Sequence, residues 1–270
     1  MPLCFRQGLW AEAVWQQKKL FRCLQKCCGA DIIRRIINEE YHQYIFIQED
    51  RFKLLSGVAR MNKGKSHFNG DNFLISRLEC GKAIAAIADG MGSGKRAYIE
   101  SRMVIELMEN CIEAGFEEKT AIDLINSAYI AGGGTGNPVT MDMSVIDCQS
   151  GYMHCMKLGA VSTFIRRDKW VEIIQSTTLP MGVLEQVDYD CTTKKLYDGD
   201  YIVMVSDGVL DNIPCVNKEE RMAQMIHALT IREPSAMAEK LLEQSLAYND
   251  MKASDDCTVL VLGLFDTYEK

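Results

Sequence analysis

The chain has 270 residues, 47% of them hydrophobic and 25% charged, which suits a globular protein with a large core. A formal charge of −7 excludes a general nucleic-acid binder, which needs a basic surface. The longest wholly apolar run is six residues, 83–88, against the roughly 20 that a membrane-spanning helix requires. The N-terminus also lacks the pattern of a signal peptide, so a cytoplasmic protein with no transmembrane segment is expected.

Charge divides the chain unevenly. Residues 1–40 hold seven Lys/Arg and four Asp/Glu, a balance of +3; the remainder holds 23 and 33, a balance of −10. Two domains are therefore expected, a basic helical arm over 1–40 and a larger body over 41–270. Residues 9–28 predict a helix, with Leu9, Ala13, Leu20, Phe21 and Leu24 at helical spacing. Its apolar stripe would pack on the body or self-associate, tuning the site as a switch. A second helix is expected over 31–40, with Asp31 as its N-cap. Eleven cysteines are scattered with no CxxC pair, so reduced thiols are expected, the cluster Cys23, Cys27 and Cys28 included.

From residue 41 the texture turns to short apolar runs. Strands are expected at 44–47 and 52–60, then a Gly/Lys/Asn-rich loop over 61–70 that delivers Asp71. A hairpin follows at 73–78 and 83–88. Three glycines, Gly90, Gly92 and Gly94, then open a helix over 95–111 whose core face is Ala97, Val104, Leu107, Met108 and Cys111. A second helix, 117–130, is expected to bury Ala121, Leu124, Ile125 and Ala128, before a loop at 132–138. Strands are expected at 141–148, 152–158, 162–166, 170–174 and 201–205. Helices near 219–229 and 234–248 and a final strand at 258–265 complete the chain. Period-2 hairpins and two helix pairs predict an α+β layered sandwich of mostly antiparallel sheets.

Four short acidic motifs fall at the ends of these strands: GDNF (70–73), DGMGSG (89–94), SDG (206–208) and SDDCT (254–258). Single Asp-Gly pairs are common turns, and Asp198-Gly199 reads as one. Four acids at the ends of separate apolar strands are harder to assign to capping. Like charges about 4 Å apart repel by roughly 4 kcal/mol per pair at an effective dielectric near 20. A fold that gathers Asp71, Asp89, Asp207 and Asp255 needs a positive centre, and oxygen-only ligands point to Mg²⁺ or Mn²⁺. Gly90 would leave its carbonyl free to coordinate. The four histidines stand in no ligand or triad spacing, although His67 lies four residues before Asp71. The order suggests a metal-dependent phosphohydrolase whose water is activated by two cations.

The same motifs, with MDMSVID, LPMGVL and DGDYIVMVSDGVLDNI between them, resemble the phosphatase domain of the stage II sporulation protein E (SpoIIE) family over residues 53–265. This is a bacterial branch of the PPM-type, or 2C-type, serine/threonine protein phosphatases. The resemblance implies an αββα sandwich with two Mn²⁺ or Mg²⁺ ions at one end. It implies Asp89, the Gly90 carbonyl, Asp207 and Asp255 as metal ligands, with Asp71 bridging or holding metal water. Asp255 is preferred to Asp256 because the first acid of the pair matches the family ligand. The implied substrate is a phosphoserine on an anti-anti-sigma factor, whose dephosphorylation frees a sporulation sigma factor.

SpoIIE proteins normally carry many membrane spans ahead of the phosphatase, and none is expected within this sequence. Where many eukaryotic relatives read DGHG it has Met91, which cannot donate a proton. No phosphate-binding cation stands out, Lys63 and Lys95 being the candidates. The rival reading is a catalytically silent metal-binding scaffold that recruits partners through the arm; a third is an enzyme for a small phosphoester.

Overall fold

The computed structural model describes residues 3–5, 26, 32–38, 43–48 and 50–267, apart from 65, 79–80, 132–136 and 169. Strands β1 (Leu3–Phe5), β2 (Ile32–Asn38) and β3 (Gln43–Gln48) form a three-stranded antiparallel sheet with β3 in the centre. The helix expected over 31–40 is thus a strand. Ile32, Ile33, Ile36 and Ile37 fit either period, but β-branched side chains lose χ1 freedom in a helix and suit a pleated surface. Of the helix expected over 9–28 only Lys26 is described, helical and exposed; the rest, and with it the self-association, lies outside the described residues.

The body follows in chain order: β4 (Phe52–Met61), β5 (Asp71–Arg77), β6 (Lys82–Gly90), α1 (Lys95–Glu113), α2 (Glu118–Ala131), β7 (Val139–Asp147), β8 (Tyr152–Leu158), β9 (Thr163–Arg167), β10 (Trp170–Ile174), β11 (Asp190–Lys195) and β12 (Tyr201–Val205). Then come α3 (Asp207–Asp211), α4 (Lys218–Ala228), α5 (Pro234–Leu246), a short 3₁₀ turn and β13 (Cys257–Asp266). Two antiparallel five-stranded sheets run β10-β9-β12-β13-β4 and β11-β8-β7-β6-β5.

Alternation along the strands builds three apolar layers. Ala86, Ala88, Met141, Met143, Met156 and Leu158 face α1 and α2. Tyr201, Val203, Val259 and Val261 face α4 and α5. Ala85, Ile87, Cys155, Ile202, Met204, Leu260 and Leu262 meet between the sheets. The expected αββα sandwich is the observed one.

Helix α2 corrects the sequence reading of its core face. It buries Ala121, Ile122, Ile125, Asn126 and Tyr129 and leaves Leu124 and Ala128 exposed. Two polar side chains turn inward because each finds partners. Asn126 donates to the carbonyl oxygens of Leu184 and Glu185 and accepts from Gly182 N–H, and the Tyr129 hydroxyl donates to Asn137 O at 2.6 Å. A buried amide or phenol with its hydrogen bonds made costs little, so apolarity alone misplaces the stripe. Helix α1 buries Ala97, Val104 and Met108 as expected, with Leu107 and Cys111 partly buried against them.

Candidate active site

Toward one end of the sandwich the inward-facing positions change from apolar to polar. Along β6 the inward row runs Ala85, Ile87, Asp89; along β7 the matching positions are Thr140, Asp142 and Ser144. Asp71 opens β5 directly opposite Asp89. The facing sheet contributes Thr163 at the start of β9, Ser206 just past β12, and Thr258 and Arg60 one residue inside the ends of β13 and β4. Ser206 and Thr258 join through Ser206 N–H to Thr258 O (3.0 Å) and Thr258 N–H to Ser206 Oγ (2.9 Å), which brings SDG beside SDDCT.

Two glycines permit the approach. A Cβ on Gly90 would overlap the backbone of Ala97, so only glycine lets the start of α1 pack on the end of β6. A Cβ on Gly208 would overlap the Asp256 carbonyl, where the Asp207-Gly208 turn seats on the 255–256 segment. Strand β12 ends at Val205 as expected; Asp207 begins the short helix α3, which the sequence did not predict.

The structure brings Asp71, Asp89, Asp207 and Asp255 into one electrostatic cluster. Burial pushes the Asp89 carboxyl up to about 9, with further contributions from Asp71, Asp207 and Asp255. Burial pushes Asp71 up to about 7, helped by Asp207 and Asp256 and partly offset by the hydroxyls of Thr258 and Ser206. Asp207 is raised as well, first by burial and then by Asp211 and Asp255. Among the acids, Asp71 and Asp207 bear most on Asp89. Asp71 is only 1% exposed, and neither of its carboxylate oxygens closes a hydrogen bond of ordinary geometry. Among the described residues no three acidic, histidine or cysteine side chains stand close enough together to hold a metal ion as they are placed.

The two neighbouring acids of SDDCT divide their work. Asp256 is buried, its Oδ1 accepting from Lys63 N–H and its Oδ2 from Gly70 N–H, both at 2.8 Å. Both of its oxygens anchor the 61–70 loop. Asp255 is partly exposed, and Lys63 Nζ approaches its Oδ1 at 3.4 Å. Of the candidate cations, Lys63 therefore stands at the site. Lys95 is exposed at the first turn of α1, His67 is exposed on the loop, and Met91 is exposed in the turn after Gly90.

Sequence reading missed three residues here. The Arg60 guanidinium donates to the Asp71 backbone carbonyl, and burial holds its pKa low while Asp71 and Asp256 oppose that shift. Asp142 and Lys157 pair deep in the inner layer. Each is a charged residue at an inward position of an alternating strand, which is the signal that could have found it. Asp89, Asp142, Thr140, Ser206 and Asp207 line a cleft of about 110 Å³ with the 159–161 loop as its wall.

Residues 80–265 match the family model for stage II sporulation protein E. The chain belongs to the SpoIIE family. It is 32% identical over 225 residues to stage II sporulation protein E of Bacillus subtilis (strain 168), covering 83% of this chain and 27% of that protein. The chain thus spans about a quarter of that relative's length. A structure of the PP2C phosphatase domain with a fragment of the regulatory domain of SpoIIE from Bacillus subtilis superposes with a TM-score of 0.81. It is 27% identical and covers 99% of this chain and 79% of that one. RsbX, whose crystal structure is in complex with magnesium, shares the fold at 20% identity and a TM-score of 0.61, over 80% of this chain and 98% of that one. The matched Bacillus subtilis SpoIIE structure is that of a PP2C phosphatase domain, and a bacterial serine phosphatase shares the fold at 18% identity and a TM-score of 0.64. Cys111, Cys148, Cys155, Cys191, Cys215 and Cys257 are free thiols, and no described helix is long and apolar enough to cross a membrane.

Proposed function

We propose that this chain hydrolyses phosphoserine on a protein, using two divalent cations, Mn²⁺ or Mg²⁺, held by Asp71, Asp89, the Gly90 carbonyl, Asp207 and Asp255. The observation that carries this reading is Asp71: a carboxylate removed from water, among other carboxylates, whose oxygens close no hydrogen bond of ordinary geometry and draw only partial support from the Thr258 and Ser206 hydroxyls. Such a group is costly unless a cation or a proton satisfies it. The donors around it are oxygens only, which suits a hard cation. The magnesium held by RsbX, which has the same fold, supports the same choice.

Two such ions supply a water of lowered pKa and offset charge on the phosphoryl oxygens. The chain's own residues do the rest. Arg60 fixes the Asp71 carbonyl and so the entry of β5. Asp256 clamps the loop that carries Lys63 to the rim, where the ammonium can meet a substrate phosphate once Asp255 is engaged elsewhere. Met91 offers no proton, so a leaving serine takes its proton from water rather than from a side chain at that position. The substrate that fits the family is the phosphorylated anti-anti-sigma protein, whose dephosphorylation releases a sporulation sigma factor.

The test compares phosphate release from a phosphoserine protein with release from nucleotides at matched Mn²⁺. Turnover of the phosphoprotein alone is the expected result. Preference for nucleotides makes the substrate a small phosphoester, and metal binding without turnover makes the chain a scaffold.

A further inference from the structure

We propose that Lys157 is a positioning residue of the cleft: its buried ammonium ties the 159–161 wall to the floor that carries Asp142. Lys157 stands directly opposite Asp142 in the β7–β8 ladder. Both side chains are almost wholly enclosed, at 1% and 2% exposure. Lys157 Nζ donates to Asp142 Oδ2 at 2.6 Å and to the carbonyl of Val161 at 2.6 Å. The Thr163 hydroxyl also donates to Asp142 Oδ2, and Cys155 Sγ lies 3.8 Å from Oδ1. The same lysine's carbonyl accepts from Thr178 Oγ1, which in turn accepts from Gly159 N–H. Both ends of the turn after β8 are therefore fastened to one residue.

The place of this network sets it apart from a bond that only holds the core. Asp142, Gly159, Ala160 and Val161 line the cleft together with Asp89 and Asp207. A buried ion pair is a poor source of stability, since apolar residues of the same volume often serve as well or better. Its geometric effect here is specific: the ammonium fixes how far the wall carbonyl lies from the acid row. A displacement of about 1 Å in such a wall can cost on the order of a hundredfold in rate.

The test replaces both charges, in Lys157→Met with Asp142→Met, because removing one partner alone can unfold the protein. The double variant is expected to melt at or above the parent temperature. Its amide hydrogen exchange over 159–162 is expected to rise about tenfold, with kcat on a phosphoserine protein falling about ten- to a hundredfold and KM little changed. Met222→Ala, in the core under α4, serves as the control: it lowers the melting temperature and leaves kcat as it was. The kinetic arm rests on the phosphatase reading; the exchange arm needs no turnover, so the two failures are distinguishable. Unchanged exchange over 159–162 overturns the proposal, and so does faster exchange with an unaltered kcat.

Discussion

Asp207→Asn lowers Mn²⁺-dependent phosphate release from a phosphoserine protein by on the order of 10²–10³-fold or more, while leaving the protein folded. Asp89→Asn is expected to do the same. The two substitutions keep side-chain volume and remove one negative charge each from a cluster in which burial and mutual repulsion already raise all three inner carboxyls. Stability and activity should therefore move in opposite directions. In chelator each variant is expected to melt no lower than the parent, because an amide at that position costs less to bury than a charge. Circular dichroism on the same samples used for turnover checks both halves. Full turnover in either variant would contradict the assignment of these acids.

The metal-free protein should lose heat stability as pH rises. Asp71 and Asp89 are held at about 7 and about 9, above the roughly 3.9 of an unfolded aspartate. A carboxyl with a raised folded pKa keeps its proton in the native state after the unfolded chain has released its own. The contribution is fully present below the unfolded pKa and is lost as pH rises through about 7 and then about 9. In chelator the melting temperature should fall by on the order of 10 °C between pH 5 and pH 9. Asp89→Asn should flatten that slope, and saturating Mn²⁺ should raise the alkaline melting temperature by mass action. A parent melting curve that rises over this range in chelator would show that the acids are not crowded in the metal-free state.

The layered fold was legible in the sequence because its strands alternate and its helices repeat at 3.6 residues. The expected strands from 52 to 265 lie within observed ones to within a few residues, and the acids all lie at strand ends, turns or the start of α3. What alternation could not show was which polar residues turn inward with partners. Asn126 and Tyr129 displaced Leu124 from the core face of α2 because local carbonyls and an amide satisfy them. Lys157 and Asp142 were passed over because each cancels the other only once β7 and β8 are paired. Strand β11 (Asp190–Lys195) escaped notice because its sequence, DCTTKK, is polar on both faces and lies at a sheet edge. Residues 32–38 failed for another reason: two isoleucine pairs four apart satisfy a helical period while preferring extended backbone.

The proposal takes Asp255 rather than Asp256 as a ligand, and the two carboxylates differ in what they already hold. Asp256 has both oxygens occupied by backbone N–H groups, whereas Asp255 meets only its neighbour's amide and a lysine at the rim. The first can be replaced only by losing the 61–70 loop, and the second can turn to a cation by releasing Lys63.

Anomalous diffraction at the manganese edge, from crystals grown with Mn²⁺, tests the central claim most directly. Two peaks are predicted within coordination distance of Asp71, Asp89, the Gly90 carbonyl, Asp207 and Asp255, with Asp256 still bound to the amides of Lys63 and Gly70. Peaks elsewhere, or none in a crystal soaked at saturating manganese, would contradict it.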